Sequence, residues 1–365
     1  MNQKQRYLLL DGLRGVAALM VVCFHFFEAF ATSPADQKFN HGYLAVDFFF
    51  VLSGFVMGYA YDDRWKAMSV KDFFRRRLVR LHPMLILGVI LGSVSFLIQG
   101  SVRWDGTAVP ATMILVAVIL NLLMLPVIPG TAADVRGNGE MFPLNGPAWS
   151  LFFEYIGNIM YALCLRRLST KWLTAFTVLC GASLAAFTLA NGSGFWNIGV
   201  GWTLAGHNFI GGFLRMSFSF SAGLLLSRNC RTIKVKGAFL ICALMIVSLL
   251  SVPYLGTETM PWINGIFDLV CILGVFPALV LLGAGGSAEG NISSKICSFV
   301  GDISYPLYII HYPFMYLFYA YVWKNGLAFR DVWYIALGIF IICILTAWAA
   351  SRLYDRPVRR YLSRR

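Results

Sequence analysis

Charged side chains are scarce in this chain, 13% of 365 residues against 58% hydrophobic ones. An ordinary soluble domain carries about a quarter charged residues, so that class is excluded. No polar stretch is long enough to stand as a domain of its own, and no internal repeat or low-complexity tract occurs. The eight cysteines (Cys23, Cys164, Cys180, Cys230, Cys242, Cys271, Cys297 and Cys343) form no CxxC pair. Their irregular spacing, mostly inside apolar runs, argues against a disulfide framework and against a zinc site, and no metal is expected. Acidic residues are few beside basic ones, 17 against 30, which leaves a net charge of +13. That excess does not point to nucleic acid, because the basic residues sit in short loops between apolar runs, where they act as topology signals.

What is abundant is apolar length. Eleven apolar segments fall at roughly 8–30, 43–61, 83–100, 110–126, 147–165, 172–190, 205–227, 237–253, 263–283, 301–323 and 332–352. Most are long enough to cross a bilayer core of about 30 Å as a helix, so an all-α polytopic membrane protein in a lipid bilayer is expected, with residues 1–365 as one membrane-embedded domain. Basic residues concentrate at 62–82, 166–171, 228–236 and after 351. The positive-inside rule puts these stretches and the N-terminus in the cytoplasm. They agree only if segment 110–126, short and bracketed by Pro110 and Pro126, does not cross. The reading is therefore about ten transmembrane helices with both termini cytoplasmic. Residues 101–146 become an external excursion holding a re-entrant or interfacial piece. Lys4, Arg6 and Ala29-Phe30-Ala31 have the outline of a cleaved signal peptide, but Arg14 interrupts its apolar region, so residues 8–30 are taken as the first span.

That first span, within DGLRGVAALMVVCFHFFE, carries Arg14, His25 and Glu28. Arg14 and His25 are eleven residues apart, three helical turns and about 20° over, so they share a face. At about 1.5 Å per residue, His25 lies roughly 16 Å further along the axis. Ionisable groups inside a membrane are costly and usually face a partner or a wet cavity. The pattern fits either a polar seam between helices or a functional cavity. In the second helix, AVDFFFVLSGF, Asp47 lies near the level of His25. It is either a helix-end residue at the interface or the carboxylate that orients the imidazole. Arg76, Arg77 and Arg80 cluster on one helix face, which suits an anionic partner or simply topology and lipid headgroups. In NGPAWSLFFEYIGNIMY, Trp149 is placed as an interface anchor, and Glu154, Asn158 and Tyr161 form a polar stripe. Ser304, Tyr308 and His311 recur at i, i+4, i+7 in GDISYPLYIIHYPF, where Pro306 and Pro313 suit a kinked helix beside a cavity. Asp268 is a possible partner of Arg215. No role is read for Arg215, Asp268 or His207.

In this order, the Arg14–His25 helix, VDFFFVLSGF, RLVRLHP, NGPAWSLFFE and DISYPLYIIH resemble the acyltransferase 3 family of integral-membrane O-acyltransferases, over residues 11 to about 312. The resemblance implies ten helices and transfer of an acyl group, acetyl first of all, from cytoplasmic acyl-CoA to a carbohydrate hydroxyl. The acceptor would be a cell-surface or exported glycan, or a glycolipid, modified at the cell's inner (plasma) membrane. It marks Arg14 and His25 as essential, and Arg77 and Arg80 as donor contacts with Arg76 beside them. Acyl-CoA is then a co-substrate and no resident cofactor is expected. Some members carry a C-terminal hydrolase-like domain. None follows Arg365 in this sequence, so a second transfer outside is expected to need a separate protein. The chemistry needs a base for the hydroxyl, for which His25 is the best candidate, with Asp47 as its orienter. Glu154, Trp149, Ser304, Tyr308 and His311 are candidate substrate-binding residues. A carrier of lipid-linked sugars or organic anions is the alternative; the absence of an inverted repeat speaks against it.

Overall fold

The computed structural model describes residues 7–229, 235–286 and 291–364. Lys4 and Arg6 of the basic start, Cys230, Arg231 and Lys234 of the third basic stretch, and Arg365 lie outside the described residues. Among the described residues thirteen α-helices occur in the order α1 (Leu8–Glu28), α2 (Ala45–Tyr61), α3 (Val70–Ile98), α4 (Ala111–Leu122), α5 (Ala148–Leu163), α6 (Thr170–Leu189), α7 (Asn208–Asn229), α8 (Ala238–Leu250), α9 (Trp262–Val270), α10 (Phe276–Gly285), α11 (Asn291–Asn325), α12 (Phe329–Ala349) and α13 (Arg356–Arg364). A π-helical turn joins α9 to α10, and another joins α12 to α13. No strand occurs among the described residues.

Eight helical spans are long and apolar enough to cross a membrane among the described residues. Two further helices occupy segments read from the sequence as spans: the thirteen-residue α8 and the 35-residue, tyrosine-rich α11 that carries Pro306 and Pro313. The protein is an all-α, multi-pass membrane protein. The twelve residues of α4 reach about 18 Å, short of a bilayer core of about 30 Å. The chain before and after α4 leads to one end of the bundle, since Trp104, Glu140 and Trp149 line the same cavity as His25. We call this the His25 end.

The opposite, Arg14 end gathers the described parts of all four basic stretches. There Arg228 holds Asp62 at 2.7 Å and the Leu168 carbonyl at 2.8 Å, and Arg356 holds Asp302 at 2.5 Å. Helix α3 starts at this end with a capping box: Ser69 accepts from the Asp72 N–H while the Asp72 carboxylate accepts from Ser69 N–H. Two donors that the first turn leaves over are satisfied together, and Arg76, Arg77 and Arg80 follow within the next two turns.

Small residues set which faces meet. A Cβ on Gly54 of α2 would lie 1.9 Å from the Phe220 carbonyl oxygen of α7, and one on Gly223 of α7 would lie 1.9 Å from the Val51 carbonyl oxygen. The two backbones therefore interlock, the small-residue contact by which membrane helices approach closely. Likewise a Cβ on Gly15 of α1 would lie 2.4 Å from the Val300 oxygen of α11. This contact turns the Arg14–His25 face of α1 toward α11.

Candidate active site

Helix α1 delivers its two marked side chains to different chambers. Arg14 donates from Nε to Ser304 Oγ at 2.8 Å and pairs with Asp11 at 3.1 Å. Near the other end of the helix, His25 Nδ1 lies 2.7 Å from Glu28 Oε2. Tyr319 of α11 donates one hydroxyl to two acceptors, Glu28 Oε2 and the His25 carbonyl, each at 2.8 Å. The imidazole also meets the Tyr312 ring edge-on, with centroids 4.7 Å apart. His25 Nε2 has no hydrogen-bond partner among the described residues, and the imidazole lines a cavity of about 370 Å³. Four tryptophans, Trp104, Trp149, Trp202 and Trp323, line that cavity with Tyr43 and Tyr308. Flat amphipathic rings interspersed with polar groups suit a polyhydroxylated ligand, which presents apolar C–H faces and hydroxyl edges.

A second chamber of about 120 Å³ lies toward the Arg14 end and is lined by Arg14, Ser53, Arg77, Arg80, Glu154 and Ser304. Glu154 Oε1 accepts from Arg77 at 2.6 Å and from Ser53 at 3.1 Å. Arg77 is buried and its Nε has no partner, whereas Arg80 makes no hydrogen bond or ion pair among the described residues. Val46 and Tyr308 line both chambers. The Tyr308 hydroxyl lies 2.6 Å from Ser150 Oγ, so this hydroxyl pair stands at the partition. Toward the Arg14 end the second chamber shares Asp11, Arg14, Arg80 and Tyr305 with a wider cleft of about 720 Å³. Three cavities that share lining side chains thus succeed one another from a basic cleft at one end of the bundle to His25 at the other.

The family model described as an acyltransferase domain matches residues 7–352. The chain belongs to the acyltransferase 3 family. Acyltransferase MdmB of Streptomyces mycarofaciens is 26% identical to it over 98% of this chain and 92% of that protein. The Rhizobium radiobacter protein named "Protein 2 in picA locus" is 36% identical over 46% of this chain and 86% of that protein. No solved structure matches the chain. It is an O-acyltransferase rather than a carrier.

In this acyltransferase two expected partnerships are replaced by others. Asp47 does not orient His25. It forms a buried ion pair with Arg215, 2.6 Å from Nη2, with Nε at 3.1 Å from the other carboxylate oxygen. The reason is the helix face: Asp47, Val51, Gly54 and Gly58 lie three or four residues apart on the side of α2 that touches α7. Arg215 stands on the facing side of α7 and also donates to the Val200 and Tyr43 carbonyls. Nor does Asp268 pair with Arg215. It accepts from the Tyr43 hydroxyl at 2.8 Å and the Ile198 N–H at 2.8 Å. These buried charges tie the loops of the His25 end to α2, α7 and α9.

The remaining candidates divide by chamber. Trp149 lies in the wall of the His25 cavity, and Ser304 and Tyr308 lie along this series of cavities. His311 is fully buried, its Nδ1 3.0 Å from the Leu307 carbonyl and its ring 5.3 Å from that of His25. Arg76 faces away from the chamber into a groove beside α13. The stripe of α5 splits: Glu154 enters the chamber, while Tyr161 donates to Asp62 at 2.6 Å. His207 is exposed.

Residues without a periodic signal complete the His25 cavity. Asn138 and Glu140 reach its wall from the irregular segment after α4, and Arg136 of the same segment lies behind them. Asp134 organises that segment by accepting from the N–H groups of Gly130, Gly137 and Gly139. Arg136 is buried, donates to the Pro143 carbonyl at 2.7 Å, and lies over the Tyr316 ring. Burial pushes the Glu140 carboxyl up to about 7, against the Tyr316 hydrogen bond and Arg136, which favour the anion. An acid raised in the folded state binds more protons folded than unfolded. Its contribution is therefore fully present below about 4.5 and is lost as pH rises toward 7. Glu140→Gln is expected to remove that part of the decline, so the gap in apparent Tm between variant and wild type widens in the variant's favour from pH 5 to pH 8. Differential scanning fluorimetry in detergent measures it; a gap that does not change with pH refutes the assignment.

Proposed function

We propose that this protein moves an acyl group, acetyl first of all, from cytoplasmic acyl-CoA to a hydroxyl of a carbohydrate acceptor. The acceptor is a cell-surface or exported glycan or its glycolipid precursor, and the enzyme sits in the cell's inner membrane. One observation carries the reading: a chamber holding Arg14, Arg77 and Arg80 and an aromatic cavity holding His25 meet at Tyr308 and Val46. Two substrates of opposite character can thus approach from opposite ends and react near the partition.

The chemistry follows from the side chains. With its Nδ1–H donated to Glu28, the imidazole presents the Nε2 lone pair to the cavity, and Nε2 takes the proton of the acceptor hydroxyl. Glu28 fills the orienting role that spacing suggested for Asp47. The acceptor oxygen bonds to the thioester carbonyl carbon, the carbon–sulfur bond breaks, and the thiolate leaves with the proton that His25 returns. Charge building on the carbonyl oxygen needs a donor, and the Tyr308–Ser150 hydroxyl pair stands at the partition to supply one. Arg14 sits roughly 16 Å along the axis from His25, too far to touch the carbonyl that His25 serves. Its role is to guide the anionic donor, with Arg77 and Arg80.

The test is direct. Purified protein in detergent, given acetyl-CoA labelled in the acetyl group, should release free thiol slowly and faster with a glycan acceptor, and should leave label on the glycan. A sample that moves a lipid-linked sugar across vesicles without ever releasing thiol would overturn the reading.

A further inference from the structure

The cleft of about 720 Å³ at the Arg14 end is built in large part by a helix outside the sequence motifs. Arg14 and Arg80 line it from the chamber side and Arg356, Arg359, Arg360 and Arg364 of α13 from the other, so its six arginines outnumber its three carboxylates, Asp11, Asp302 and Asp355. Arg356, Arg360 and Arg364 recur every four residues, so they share one helix face and repel one another unless an anion lies between them. Three of the six arginines that line it are already paired: Arg14 with Asp11 at 3.1 Å, Arg356 with Asp302 at 2.5 Å and Arg359 with Asp355 at 3.0 Å. Arg360 and Arg364 are exposed and make no hydrogen bond or ion pair among the described residues. The helix is held in place on α3, where Arg75 donates to the Leu362 carbonyl at 3.4 Å. Its arginines therefore front a fixed cavity that opens into the donor chamber.

We infer that α13 is a phosphate-binding arm that holds the 3′-phosphate of the donor's nucleotide, with Arg360 and Arg364 as its contacts. The inference rests on the acyl-CoA reading above. Its physical basis is position along the series of cavities. Arg14 and Arg80 stand at the neck between chamber and cleft and suit the diphosphate beside the pantetheine arm, whereas the α13 arginines lie only on the cleft side. Guanidinium groups bind phosphate through paired, charge-assisted hydrogen bonds. An anionic lipid headgroup carries the same phosphate chemistry, so the measurement must separate the two.

Calorimetry on the full-length protein, in nanodiscs of zwitterionic lipid, compares coenzyme A with dephospho-coenzyme A, which lacks only the 3′-phosphate. The wild type should bind coenzyme A more tightly, by roughly tenfold to a hundredfold. Arg360→Gln/Arg364→Gln should abolish that preference while leaving dephospho-coenzyme A affinity unchanged, which also shows that the variant is folded. A wild type without the preference, or a variant that retains it, overturns the assignment to α13 while the donor reading stands. A variant with unaltered coenzyme A binding that loses the rise in Tm the wild type shows when phosphatidylglycerol is added makes α13 a lipid contact instead, and overturns it as well. A wild type that binds neither nucleotide fails the donor reading itself.

Discussion

His25→Ala should lower acyl transfer by roughly 10²–10⁴-fold, the range that a lost general base removes, with expression and membrane insertion unchanged. The imidazole is held on one side only. Glu28 at 2.7 Å fixes Nδ1, Tyr319 fixes Glu28, and Nε2 is left to the cavity. The Nε2 of His311 also lacks a partner but is fully buried, whereas the His25 ring lines an open cavity that an acceptor hydroxyl can enter. The same geometry predicts a graded series. Glu28→Ala removes the orienting acceptor but leaves the base, so kcat should fall while KM for either substrate changes little. Tyr319→Phe acts one step further away and should cost less than Glu28→Ala. The rate of thiol release with and without acceptor measures all three. His25→Ala retaining more than about a tenth of the wild-type rate would give the role to another group. A Glu28→Ala loss appearing only in acceptor KM would make Glu28 a sugar contact.

Much of this arrangement is legible in the sequence, because a helix imposes a period. The Arg14–His25 alignment, the Ser304–Tyr308–His311 row and the position of Arg77 and Arg80 all follow from 3.6 residues per turn. Glu28, three residues after His25, lies on the same rule and was within reach. So was the tyrosine row of α11, where Tyr308, Tyr312 and Tyr316 recur every four residues and Tyr319 follows one turn later. What period cannot supply is the partner across a helix interface. Asp47 is level with His25, but depth does not fix azimuth. The interlocked Gly54 and Gly223 rotate Asp47 toward Arg215. Arg136 and Glu140 had no signal at all, since the backbone around Asp134 is built from turns and positive-φ glycines such as Gly137 and Gly139. The tail arginines are legible as charge, and the positive-inside rule alone accounts for them. Only the packing of α13 on α3 shows that they face a cavity.

The two chamber arginines should part company on mutation, although they sit three residues apart in one motif. Arg80 makes no ion pair among the described residues and lines both the chamber and the cleft, so its removal costs the donor and not the fold. Each charge-assisted hydrogen bond is worth about 1.5–3 kcal/mol. Arg80→Ala should therefore raise the apparent KM for acyl-CoA by roughly 10–150-fold, with a smaller change in kcat if the contact is equal in ground and transition states. Lys at this position should rescue only in part, because a point charge lacks the guanidinium fork. Arg77 is different, since its Nη2 is committed to Glu154 at 2.6 Å. Arg77→Ala strands that carboxylate. Breaking a fully buried pair costs about 3–5 kcal/mol, and here the loss should be nearer 1–3 kcal/mol because the Glu154 side chain is 24% exposed. The double variant Arg77→Ala/Glu154→Ala separates the two effects. If Arg77 serves only Glu154, the double variant should regain both stability and donor affinity. If the unpaired Nε of Arg77 reaches the donor, stability should return while KM stays high. Measured in detergent, where membrane insertion is already complete, an unchanged KM in Arg80→Ala would leave the cluster with no claim on the donor and return it to the role of a topology signal.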